Sequence, residues 1–126
     1  MNKAVIEDLL PKAYEVIKSN TKIYKNNKVD SAYRSQLSSF GAAVAGGSLL
    51  SAIAFFSVKG QSSIDRPELM KCIKALIPEA TEDALLFNYV VKQHASTACK
   101  EQILNAAIAL KLAFNLFDQG REQTQE

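Results

Sequence analysis

The 126-residue chain has no tryptophan, one histidine, two cysteines, three prolines and five glycines. Each shortage excludes something. Proline and glycine stand at about half their usual share, too few breakers for an all-β domain, which needs a turn roughly every 8–12 residues. Cys72 and Cys99 are too few for a disulfide framework, and both sit in apolar helical context. The lone histidine, His94, lacks the company of ligands or partners that metal binding and acid–base catalysis require. If His94 and Cys99 share a helix, they lie about 140° apart around it and do not face each other. The spacings C-x-x-C, H-E-x-x-H and D-x-D do not occur. The expectation is a protein that is not an enzyme, with no metal, no cofactor and no small-molecule substrate. Ile6 to Leu10 is broken by Glu7 and Asp8, so no signal peptide is read there, and a reducing cytoplasm is the expected compartment.

What is present is helix-forming. Seventeen alanines and thirteen leucines dominate the 48% apolar residues, against 22% charged. About 126 residues bury roughly two-thirds of their unfolded surface, enough for one core. Ile6, Leu9, Leu10, Ala13, Tyr14 and Ile17 recur at three and four, which predicts a first helix. Asn2 is its candidate cap, and Pro11 predicts a kink or a start near Leu10. Lys25 to Asp30 reads as a loop. Asp30 or Ser31 opens a second helix, which Gly46 and Gly47 stop, and Ser48 caps a third, with Leu49, Leu50, Ile53 and Phe56 inside. Asp65, Pro67 and Glu68 predict a fourth helix start with a reciprocal cap, ending before Pro78. Thr81 to Asp83 predict a fifth start, and Ser96-Thr97 a sixth helix running to about Asp118. The expected architecture is all-α, a single compact bundle of five or six helices over residues 1–118. A polar tail, residues 119–126, is expected to fray, and no strand is expected.

Two runs carry further weight. From Ser35 to Val58 no residue is charged for 24 positions, a length that could span a bilayer. Ser38, Ser39, Ser48, Ser51 and Ser57 and the central glycine pair divide it into two amphipathic pieces, so buried helices rather than a membrane span are expected. The same region approximates a phosphate-binding loop from Gly41 to Ser48, but Gly47 stands where the lysine belongs and no strand precedes it. In the last helix, Ile103, Ala106, Ala107, Leu110, Ala113, Phe114 and Phe117 form one apolar stripe. Leu104, Ile108, Leu112 and Leu116 form a second, leaving a polar strip of Glu101, Asn105, Lys111 and Asn115. Such a helix is either central to the bundle or meets another chain along one stripe.

Net charge is only +2, unevenly placed. Residues 1–63 hold eight Lys/Arg against four Asp/Glu, and residues 64–126 hold seven against nine. Lys12, Lys18, Lys22, Lys25, Lys28 and Arg34 crowd one stretch, with Tyr24 and Tyr33 interleaved and Lys59 beyond. This is either a solvated rim or a surface for a polyanion.

The segment Ala32 to Gly41, with Tyr33, Ser35, Phe40 and Gly41, followed by Ser48 to Ser57 and Lys59, resembles a known family. It is similar to the small α-helical subunit of the type III-B CRISPR effector, the Cmr complex. Leu9 to Ile17 resembles that family's opening helix and Ala107 to Phe117 its closing one. Two departures stand out: Ser48 replaces the glycine expected before Leu49 and Leu50, and the closing helix has no tryptophan. The resemblance implies a non-catalytic antiviral-defence subunit that associates with copies of itself and with other effector subunits. Together they line a basic channel for the guide RNA–target RNA duplex. Lys22, Lys25, Lys28, Arg34 and Lys59 would then contact RNA backbone, while Tyr33, Phe40, Gly41, Leu49 and Phe55 carry the structural motif, Gly41 by allowing a close helix crossing. The alternatives are the equivalent type III-A subunit and a helical protein–protein adaptor without RNA contact.

Overall fold

Asparagine, serine and aspartate oxygens satisfy the backbone N–H groups that a helix start leaves unpaired, and here they cap four helix starts. The computed structural model describes residues 1–60 and 64–120. Its helices are α1 (Lys3–Lys18), α2 (Ala32–Gly46), α3 (Leu49–Phe56), α4 (Arg66–Ala75), α5 (Leu86–Lys92) and α6 (Thr97–Phe114). Asn2 accepts from the N–H of Val5, Ser48 from Ser51, Asp65 from Glu68 and Ser96 from Cys99. The fold is mostly α, as expected.

Several boundaries differ from expectation, each for a visible reason. α1 runs through Pro11 rather than starting near Leu10, because Ile6 on one side and Ala13 and Ile17 on the other are all buried. That burial offsets the roughly 3 kcal/mol cost of an interior proline. The cap of α4 is one-sided: Glu68 does not return to Asp65, whose N–H donates instead to the Tyr33 hydroxyl at 3.0 Å. The fifth helix starts five residues after Thr81. Pro78–Ala80 form a short 3-10 turn, the Thr81 hydroxyl bonds Pro78 O, and Asp83 pairs with Lys92 in the last turn of α5. His94 and Ala95 then adopt left-handed backbone (φ 58° and 47°), so His94 and Cys99 do not share a helix.

The largest departure is a two-residue parallel pair. β1 (Val29–Asp30) lies beside β2 (Gln119–Gly120), with Val29 N–H on Asp118 O at 2.9 Å and Ser31 N–H on Gly120 O at 2.8 Å. The sequence pattern predicts no strand and a frayed tail, yet that tail begins with these paired residues; residues 121–126 lie outside the described ones. Partners separated by about ninety positions leave no local pattern in so short a strand.

α6 is the central helix, packed chiefly on α1 and α2 and also on α4. Its first apolar stripe is wholly buried. Ring contacts fasten its end: Phe117 stacks on Tyr14 at 5.0 Å and meets Tyr24 edge-on, and Phe114 stacks on Tyr33 at 5.7 Å. Asn105 leaves the predicted polar strip for the interior, where its Oδ1 accepts from the N–H of Asn2. No helix among the described residues is long and apolar enough to cross a membrane.

Candidate functional site

The connection from Ser19 to Ser31 carries three of the five predicted backbone-contacting cations, and its shape follows from asparagine chemistry. Asn20 uses Oδ1 to accept from the N–H groups of Lys22 and Ile23 and donates from Nδ2 to Glu68 at 3.0 Å. Asn26 and Asn27 sit at φ 56° and 63°, a conformation asparagine tolerates better than most residues. They close a tight turn in which Lys25 and Lys28 exchange both backbone hydrogen bonds at 3.0 Å. With Ile23 and Val29 buried, the backbone is anchored on both sides while Lys22, Lys25 and Lys28 stand exposed.

Glu68 gathers charge at the same place. Its carboxylate lies 3.0 Å from Lys71 Nζ and 3.6 Å from Lys22 Nζ. Burial pushes this carboxyl up, but hydrogen bonds from Asn20 and Lys71 and the charges of Lys71 and Lys22 outweigh it, leaving it below its ordinary value. Lys71 therefore belongs with the lysines of the connection. Sequence reading missed it because only the packing of α4 brings it there.

The other two predicted cations sit apart. Arg34, on the first turn of α2, turns toward the end of α6, with Nη1 donating to Asn115 Oδ1 at 2.8 Å. Lys59 is exposed just after α3. Nearby, the Arg66 guanidinium lies 5.0 Å from the Phe55 ring and 5.6 Å from Phe56, and approaches Gly60.

Of the motif residues, Tyr33, Phe40 and Leu49 are core. Phe55 is not: it is 64% exposed, covered on one side by Arg66. Gly41 permits no close crossing either, since a Cβ there would meet nothing within 4 Å; the approach of α2 to its neighbours is set by larger side chains.

A second surface is apolar. Leu112 and Leu116, from the second stripe of α6, stay 44% and 62% exposed. Leu116 joins Glu7, Leu10, Pro11, Tyr14 and Glu15 in an open groove of about 500 Å³. α6 is thus both a central helix and one that leaves apolar surface uncovered at its C-terminal half.

The remaining reactive groups are structural. Burial and the Glu68 charge push the Cys72 thiol up to about 12, and burial raises that of Cys99, so neither supplies a thiolate near neutrality. Among the described residues no cluster of three or more His, Cys, Asp or Glu side chains could hold a metal ion. Compared with protein-family models, with curated proteins and with solved structures, the chain gives no match.

Proposed function

We propose that this chain is a non-catalytic structural subunit of a type III-B CRISPR RNA-targeting ribonucleoprotein. It packs against copies of itself and other effector subunits and helps line a basic channel for the guide–target duplex. The observation that carries the reading is the lysine-bearing connection: Lys22, Lys25 and Lys28 project into solvent from a backbone anchored by Asn20, the Lys25–Lys28 turn and the β1–β2 pair. Ammonium groups on such a support neutralise phosphates without reading bases, which suits a channel where pairing carries the sequence information. Lys71, exposed beside Lys22 at Glu68, extends the same surface.

The adaptor reading has one observation of its own, the uncovered apolar groove between α1 and the end of α6. In the effector reading that groove is a subunit contact; in the adaptor reading it is the whole function. A mild tagged pull-down from the native host, scored for proteins and RNA together, separates them. Recovery in a multi-protein particle with short guide RNAs of common 5′ sequence is the expected result. Recovery alone, or with one protein and no RNA, would overturn the effector reading in favour of the adaptor.

A further inference from the structure

A second groove, of about 510 Å³, opens between α2 and α6. Its α2 wall presents Ser31, Arg34, Ser35 and Ser38. The three serines recur at four and three, so their hydroxyls lie along one face. The α6 wall presents Lys111 and Asn115, again four apart. Leu112 and Ile108 add an apolar margin. Met1 also lines the groove, its ammonium paired with Glu101 at 2.7 Å; no carboxylate is among the lining residues, and Asp30, adjacent to Ser31, is engaged with the N–H of Ala32 at 2.8 Å.

Arg34 is incompletely satisfied there. Nη1 has the neutral amide oxygen of Asn115, while Nε is buried with no hydrogen-bond partner. An unpaired buried donor on a charged group is costly, and native structures seldom keep one without a use. A guanidinium engages an oxyanion side-on through Nε and the Nη beside it, and because Nε is closed to solvent here, such engagement requires the Arg34 side chain to swing toward the groove. Asn115 steadies the side chain, and Lys111 adds a second positive charge without geometric demand.

We propose that the α2–α6 groove is a phosphate-binding site, with Arg34 and Lys111 supplying charge and the hydroxyls of Ser31, Ser35 and Ser38 supplying hydrogen bonds. The phosphate is either a nucleic-acid phosphodiester or a free phosphate. A phosphodiester would agree with the RNA contact that the resemblance implies for Arg34, whereas a free phosphate would stand apart from the effector reading; variants in the groove and in the lysine connection let the two fail separately.

The test is an amide-resolved NMR titration of the full chain with inorganic phosphate, with a short single-stranded oligoribonucleotide and with an acidic peptide, against chloride at matched ionic strength. Saturable shifts confined to residues 31–38 and 108–115 are expected with phosphate. Lys111→Glu, at an exposed position, weakens binding about tenfold or more, as removal of one charge-assisted hydrogen bond does. Arg34→Gln does the same, and Arg34→Lys restores part of it. Should Arg34→Gln fail to fold, Lys111→Glu decides alone. If both phosphate and RNA move these residues, the ligand is a phosphodiester; if phosphate alone does, the site stands as one for free phosphate. Shifts elsewhere, wild-type phosphate affinity in Lys111→Glu, or saturation by the acidic peptide but not by phosphate would overturn the proposal. RNA binding lost only on mutating Lys22, Lys25 and Lys28 would rule out the phosphodiester and leave the effector reading intact.

Discussion

The α1–α2 connection and the α2–α6 groove hold positive charge in opposite ways. In the connection the backbone is fixed and the charged ends are free: Asn20, the Asn26–Asn27 turn and the β1–β2 pair hold the chain, and Lys25 and Lys28 make no ion pair among the described residues. In the groove the charged head itself is held, Arg34 against Asn115. Loose ammonium groups adapt to a polyanion of any register, whereas an anchored guanidinium favours a ligand at one place. Positive charge held in these two ways therefore suits different ligands.

The strongest way to break this contrast is from beneath. Phe114 is fully buried and stacks on Tyr33 below the groove. Phe114→Ala is expected to cost about 3–5 kcal/mol in urea unfolding; a loss under ~1 kcal/mol would mean that the α2–α6 packing is not the one described.

Next comes the anchor of the connection. Glu68→Gln keeps the shape but removes the charge that Lys22 and Lys71 share, at an expected cost of about 1–3 kcal/mol. Because the folded carboxyl titrates below its usual 4.5, its contribution is complete above the unfolded value and disappears as pH falls through the folded one. Wild-type stability should therefore approach that of the variant on acidification below about pH 4.5. A constant gap between the two down to the lowest pH at which both fold would contradict the role given to the charge.

Replacing Lys22, Lys25 and Lys28 together by Gln sharpens the contrast rather than breaking it. Stability should change by no more than about 0.5 kcal/mol per site, since all three are exposed. The salt dependence of RNA binding by the assembled particle should flatten by about one unit of slope for each phosphate left without its lysine. An unchanged slope would remove these lysines from the interface.

The smallest effect is at Gly41, within α2. Open space around a Cβ there predicts that Gly41→Ala stabilises by about 0.5–1 kcal/mol, through helix propensity alone. Destabilisation in a thermal melt would show a neighbour closer than described.

How much is legible in the sequence follows from the range over which each signal acts. The caps at Asn2, Ser48, Asp65 and Ser96 are readable because a cap is satisfied within three residues of itself. The buried stripe of α6 is readable because helical periodicity is local. The fifth helix start is misplaced by sequence because the acids at 82 and 83 fit a first turn equally well, and only the pairing of Asp83 with Lys92 shows the other use. Among the candidate cations, charge density along the chain points to Lys22, Lys25 and Lys28, but it groups Arg34 with them and leaves Lys71 out. Linear spacing says nothing about which helix a side chain will meet.

By itself, then, the sequence determined the helical class, four helix caps, the apolar stripe of the last helix and the basic bias of the N-terminal half, all properties that a few neighbouring residues decide. Only the tertiary structure decided that residues 119–120 pair with 29–30, that Asn105 goes inward, that Phe55 stays out, and that Arg34 turns to α6 while Lys71 joins Lys22. Those outcomes depend on contacts between residues far apart in the chain, where the desolvation of each polar group must be matched by a partner that local pattern does not name.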